Sequence, residues 1–189
     1  AVPPPTPPSG SPPSVPAPPA SQGARGAAAV FLSDDPTAST EFKAINAQVR
    51  RIELMPESGA PVVIRDGPVQ SLDLMDLGDS GIPLSYGEGV PVGRYCQVRL
   101  TIADLELALS AGGSTRPVMP ANGVLTLVPD QCFNVQANGV AHLRLHLDLN
   151  KSIYFRDGRY WLRPVFEVIV IDPTAGSRLV RLEGKVSRF

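Results

Sequence analysis

Gly93-Arg94-Tyr95-Cys96-Gln97-Val98-Arg99-Leu100-Thr101-Ile102 decides the fold class. Cys96, Val98, Leu100 and Ile102 fall on one side of an extended chain, and Tyr95, Gln97, Arg99 and Thr101 on the other. A period of two is the pleat of a strand that covers a core with one face and meets water with the other. The same alternation returns at 142–149. There Leu143, Leu145, Leu147 and Leu149 point inward, and His142, Arg144, His146 and Asp148 point outward.

Outward from these two stretches the chain reads as further strands. Ala28-Ala29-Val30-Phe31-Leu32 is a short apolar run closed by the turn cluster Ser33-Asp34-Asp35-Pro36. From Phe42 to Leu54 the apolar positions Ile45, Ala47 and Val49 slip by one to Ile52 and Leu54, which predicts a β-bulge near Arg50-Arg51. Val62-Val63-Ile64 is followed by an expected turn at Arg65-Asp66-Gly67-Pro68, and then by an apolar run from Val69 to Leu77. Arg156-Asp157-Gly158 should turn the chain into Tyr160–Ile171, which is apolar on both faces and is expected to form one central strand. Leu179 to Val186 is expected to be a final strand, and Ala103 to Ala111 the one helical turn. Short strands punctuated by Gly and Pro predict an all-β fold, an antiparallel β-sandwich of two packed sheets over 27–189.

Residues 1–26 are different in kind. Pro3, Pro4, Pro5, Pro7, Pro8, Pro12, Pro13, Pro16, Pro18 and Pro19 crowd the first 20 positions, and no apolar periodicity accompanies them. Proline lacks the amide that a helix or ladder needs, so this segment is expected to be an extended polyproline-II arm rising about 3.1 Å per residue. Such a chain is already extended, and docking it on a partner costs less ordering entropy than docking a flexible one. The plainer alternative is a tether. The start at Ala1-Val2-Pro3-Pro4 is read as a processed mature end, either of a cleaved precursor or of a lipoprotein with its lipidated Cys just ahead of Ala1.

With 17 basic and 18 acidic residues and no block of like charge, nothing marks a nucleic-acid groove. No stretch is apolar for long enough to make a transmembrane helix. The two cysteines, Cys96 and Cys132, are expected to form one disulfide in an exported chain, with a pair of buried thiols as the alternative.

Residues suited to catalysis do not assemble into a motif. His142 and His146 are four apart, but on a strand that separation spans about 13 Å, too far to share one ion. Asp73, Asp76 and Asp79 lack the ligand spacing of a calcium loop, although a calcium ion between two loops stays open, as does turn formation. No Gly-x-Ser-x-Gly elbow occurs. The chain is read as non-enzymatic and without a cofactor. Tyr154, Tyr160 and Trp161, with Phe155 beside them, are the candidates for stacking on a ligand such as a glycan, against the alternative of cross-strand packing.

Several phrases taken together resemble a known family. They include Val30-Phe31-Leu32-Ser33-Asp34-Asp35-Pro36, Leu72-Asp73-Leu74-Met75-Asp76-Leu77, Asp148-Leu149-Asn150-Lys151-Ser152 and Tyr160-Trp161-Leu162-Arg163-Pro164-Val165. Val90-Pro91-Val92-Gly93-Arg94-Tyr95-Cys96-Gln97-Val98-Arg99-Leu100 is the strongest of them. Over about 28–172 the chain resembles the bacterial domain-of-unknown-function family four-three-eight-two, found in exported proteins and lipoproteins. The resemblance implies a prealbumin-like or carbohydrate-binding-like sandwich of the cell envelope and carries no catalytic residues with it. The cysteine pair and the arm stand outside the family pattern.

Two functions are therefore expected. One is a cell-envelope or extracellular assembly subunit whose arm docks on a copy of itself or another envelope protein, as in a polymer or filament. The other is a tethered surface lipoprotein that binds a glycan or a protein.

Overall fold

A computed structural model describes residues 23–34, 40–78 and 81–171. It is an all-β domain with twelve strands among the described residues: β1 (Arg25–Asp34), β2 (Phe42–Pro56), β3 (Val62–Asp73), β4 (Ile82–Pro91), β5 (Gly93–Leu109), β6 (Ser114–Thr115), β7 (Val124–Leu127), β8 (Phe133–Val135), β9 (Val140–Leu147), β10 (Ile153–Arg156), β11 (Arg159–Leu162) and β12 (Phe166–Ile171). A single helical turn, α1 (Leu149–Ser152), separates β9 from β10. The arm prolines Pro3 to Pro19 and the strand expected at Leu179–Val186 lie outside the described residues. Of the segment 1–26, Arg25 and Gly26 already belong to β1.

The first sheet has the order β4-β1-β9-β12. Its outer pairs are antiparallel, but β1 and β9 run parallel, from Ala27 opposite Val140 to Asp34 opposite Leu147. The sheet is thus mixed, where a wholly antiparallel sandwich was expected. The second sheet is antiparallel throughout, in the order β3-β2-β5, and β5 pairs on its far side with β8, β7 and β6 in succession. A separate ribbon pairs β10 with β11.

Both sheets contribute to one hydrophobic core. Val30, Leu32, Leu143 and Leu145 from the first sheet share it with Ile45, Val49, Ile52, Leu100 and Leu105 from the second. Each such side chain contributes about 1.5–3 kcal/mol on burial. The sheets close on each other where β3 meets β4. A Cβ on Gly87 would stand 2.6 Å from the Cβ of Ile64, and Ser85 Oγ donates to Ile64 O at 3.1 Å.

The predicted leucines are buried: Leu143, Leu145 and Leu147 on β9, and Leu149 in α1 rather than on the strand. The bulge expected at Arg50-Arg51 is present, because the β2 register shifts between Val49 and Arg51.

Four local expectations are corrected. A register shift at Met55/Pro56 passes over Cys96, so Tyr95 turns inward and is buried, while Cys96 is only half-buried. The helical turn expected at Ala103–Ala111 is the continuation of β5. There a second shift passes over Ala103 and moves the buried set from Ile102 to Leu105 and Leu107. The turn expected at Arg65–Pro68 lies within β3, where Gly67, Pro68 and Val69 are left out of the ladder between Asp66 and Gln70. Pro68 is tolerated there because β3 is an edge strand. Tyr160–Ile171 is two strands, split near Pro164, and β12 lies at a sheet edge. The strand buried on both faces is β1, with Ala27 to Val30 all buried.

Candidate functional site

The aromatic residues gather on the β10–β11 ribbon. Its turn is Asp157-Gly158, with φ of 53° and 75°, the two successive left-handed residues of a type I′ turn. Tyr154 stands opposite Trp161, and Phe155 opposite Tyr160. Because side chains alternate across a strand, these two pairs lie on opposite faces of the ribbon. Tyr154, Tyr160 and Trp161 therefore do not form one platform: Tyr154 and Trp161 share a face, and Tyr160 faces the other way with Phe155.

The Tyr160 face is the more elaborate of the two. Phe42, Tyr160 and Phe155 make a run of edge-to-face contacts, with ring centroids 5.4 Å and 5.0 Å apart. The run climbs from buried Phe42 through half-buried Tyr160 to Phe155, which is 61% exposed. The Tyr160 hydroxyl donates to Glu41 Oε1 at 2.5 Å. That bond, with some burial and the carboxylate's charge, holds the phenol above its usual range. A strand-like segment completes the surface: Val118 N donates to Tyr160 O at 2.8 Å, and Leu162 N donates to Val118 O at 2.9 Å. This places Pro117 and Arg116 beside the ring, and a shallow cleft opens between Leu109, Arg116, Pro117, Phe155, Arg159 and Tyr160. Arg116 is fixed by Asp104 through two bonds of 2.9 and 3.0 Å, which keep the Asp104 carboxyl below its usual range.

The signal for this cleft was partly in the sequence. Phe155 follows Tyr154, so an alternating strand must carry it on the other face. The docking of Pro117-Val118 against β11, and the Glu41 contact, join residues far apart in the chain and left no local trace.

Cys96 and Cys132 lie at disulfide distance and are bonded, 36 residues apart in sequence. They tie the start of β5 to the loop entering β8. His142 and His146 are half-buried on one face of β9. His142 stacks on Phe31, and His146 Nδ1 lies 3.1 Å from Ser33 Oγ. Ser33 is fully buried, so its hydroxyl is closed to a substrate approaching from solvent. Asp73 Oδ1 accepts from Ile45 N of β2 and from Met75 N, both at 3.0 Å, and the second bond caps the short helical turn Leu74–Asp76. Among the described residues no three acidic, His or Cys side chains group as metal ligands.

Residues 25–164 match the family described as Domain of unknown function (DUF4382). The chain belongs to the DUF4382 family. The match begins at the first residue of β1 and ends just after β11, so the aromatic ribbon lies within the DUF4382 domain and the proline-rich segment lies ahead of it. No curated protein and no solved structure matches the chain.

Proposed function

We propose that this DUF4382 protein is a non-enzymatic, secreted or cell-surface assembly subunit, and that its proline-rich arm docks on a neighbouring molecule, a second copy of the chain above all. The observation that carries the reading is the junction at residue 25. Ten prolines precede it, and the family domain begins at it. The arm is appended to a domain with a core of its own, has too little apolar surface to fold alone, and cannot pair fully along a sheet edge, because each proline lacks an amide. A polyproline-II chain of that kind is suited to recognition by an apolar, aromatic surface. The disulfide is in keeping with an oxidising compartment outside the cytosol. A prealbumin-like form of the sandwich belongs to the same proposal. A second reading, a tethered glycan- or protein-binding lipoprotein, draws support from exposed Tyr154 beside half-buried Trp161, since accessible rings stack on sugars.

Deletion of residues 1–22 tests the choice. Mass by light scattering across a concentration series should show the parent chain self-associating and the truncated chain monomeric. Equal assembly by both would reject the arm's role and leave the tethered binding module.

A further inference from the structure

We infer that the cleft at Phe155 and Tyr160 is a polyproline-II binding site, and that its occupant is the segment 1–22 of a second copy. This rests on the assembly reading and names the surface that would receive the arm. The cleft has the chemistry such a ligand needs. Phe155 presents an exposed ring and Tyr160 a half-buried one, and buried Pro117 lies at the base of the cleft near Leu109. Proline rings pack on aromatic faces, and an extended polyproline-II backbone leaves its carbonyls free as acceptors. The guanidinium of Arg159, exposed at the cleft rim, supplies donors for them. The segment 1–22 has no acidic or basic side chain, so its recognition must come from ring packing and backbone acceptors.

Reach bears on the choice between the chain's own arm and a neighbour's. The arm joins the domain at one pole, where Val92 N donates to Ala24 O at 3.0 Å, next to the start of β5. The cleft lies at the other pole, at Leu109, where β5 ends. The 17 residues of β5, interrupted by bulges at Cys96 and Ala103, put at most about 50 Å between them. At about 3.1 Å per residue, 22 residues reach about 68 Å, so about 16 would be spent crossing the domain. Seven of the ten prolines lie among those, and only residues 1–6, with the other three, would be left for the cleft. A second copy placed end to end receives the whole segment. Arm at one pole and receptor at the other is a head-to-tail arrangement, which propagates into a chain or closes into a ring.

The test uses the full chain and a synthetic peptide of residues 1–22 carrying a fluorophore. Phe155→Ala should weaken peptide binding, read by anisotropy, by at least about tenfold, the loss of one good apolar contact, and should lower the assembled mass. Tyr154→Ala, on the opposite face of the ribbon, should change neither by more than about twofold, and Phe155→Tyr should keep both. Excess unlabelled peptide should dissolve the parent assembly. Should Phe155→Ala bind and assemble like the parent while deletion of 1–22 abolishes assembly, the cleft is the wrong receptor and the arm-driven reading survives. A parent chain that is monomeric at all concentrations and binds added peptide only after deletion of 1–22 would place the arm on its own domain and overturn the proposal.

Discussion

Tyr95 shows how far a single residue can depart from an otherwise correct pattern. Strict alternation puts it on the outer face with Gln97 and Arg99, yet it is buried and stacks on Phe133 at a centroid distance of 5.7 Å. The cause is one extra residue, Cys96, which leaves the β2 ladder and reverses the facing of everything before it. Burial then requires a partner for the phenol, and its hydroxyl donates to Pro91 O at 2.8 Å, across the tight β4–β5 connection. Tyr95→Phe keeps the ring and removes that bond. It should destabilise the domain by about 1 kcal/mol, read as a lower urea midpoint with an unchanged slope. An unchanged midpoint would show that the hydroxyl does not help to hold the connection. The same flip explains why Cys96 is half-buried at a bulge rather than set among the core leucines.

Among the elements, two equal signals invite opposite readings. Val49 to Ile52 and Ile102 to Leu105 are both breaks of three residues in a run of two. The first was legible as a bulge because alternation is clear on both sides of Arg50-Arg51. The second resembles one turn of an amphipathic helix, since positions i and i+3 share a helical face as well. Only pairing with β2 resolves it. The long apolar run at Tyr160–Ile171 misled for another reason: Pro164 interrupts a composition that otherwise reads as one strand. The ribbon itself was readable, because Asp157-Gly158 fixes both the turn type and the register that sets Tyr154 against Trp161. The closure of the two sheets at Gly87 was not readable, because nothing near it in sequence signals Ile64. Gly87→Ala should force β3 and β4 apart and cost about 1–3 kcal/mol in thermal or urea unfolding. A neutral result would mean that Ile64 can move aside without loss.

At the scale of the molecule, the fold class followed from periodicity, whereas the arrangement did not. The parallel pairing of β1 with β9 joins residues more than a hundred positions apart, and β1 earns its central place by carrying small or apolar residues on both faces. That arrangement also sets the two poles, and with them the separation between the arm's root at Ala24 and the cleft at Leu109. The central claim, that the arm of one copy is received by another, is tested most directly by mixing two complementary variants. One lacks residues 1–22 and keeps the cleft. The other is the full chain with Phe155→Ala, which keeps the arm and loses the receptor. With both shown by circular dichroism to melt like the parent, each alone should be monomeric by size-exclusion chromatography with light scattering. Together they should form a complex of one copy of each and nothing larger, since no free arm or intact cleft remains to extend it. Two monomers that stay apart on mixing, or either variant assembling alone as the parent does, would contradict the account.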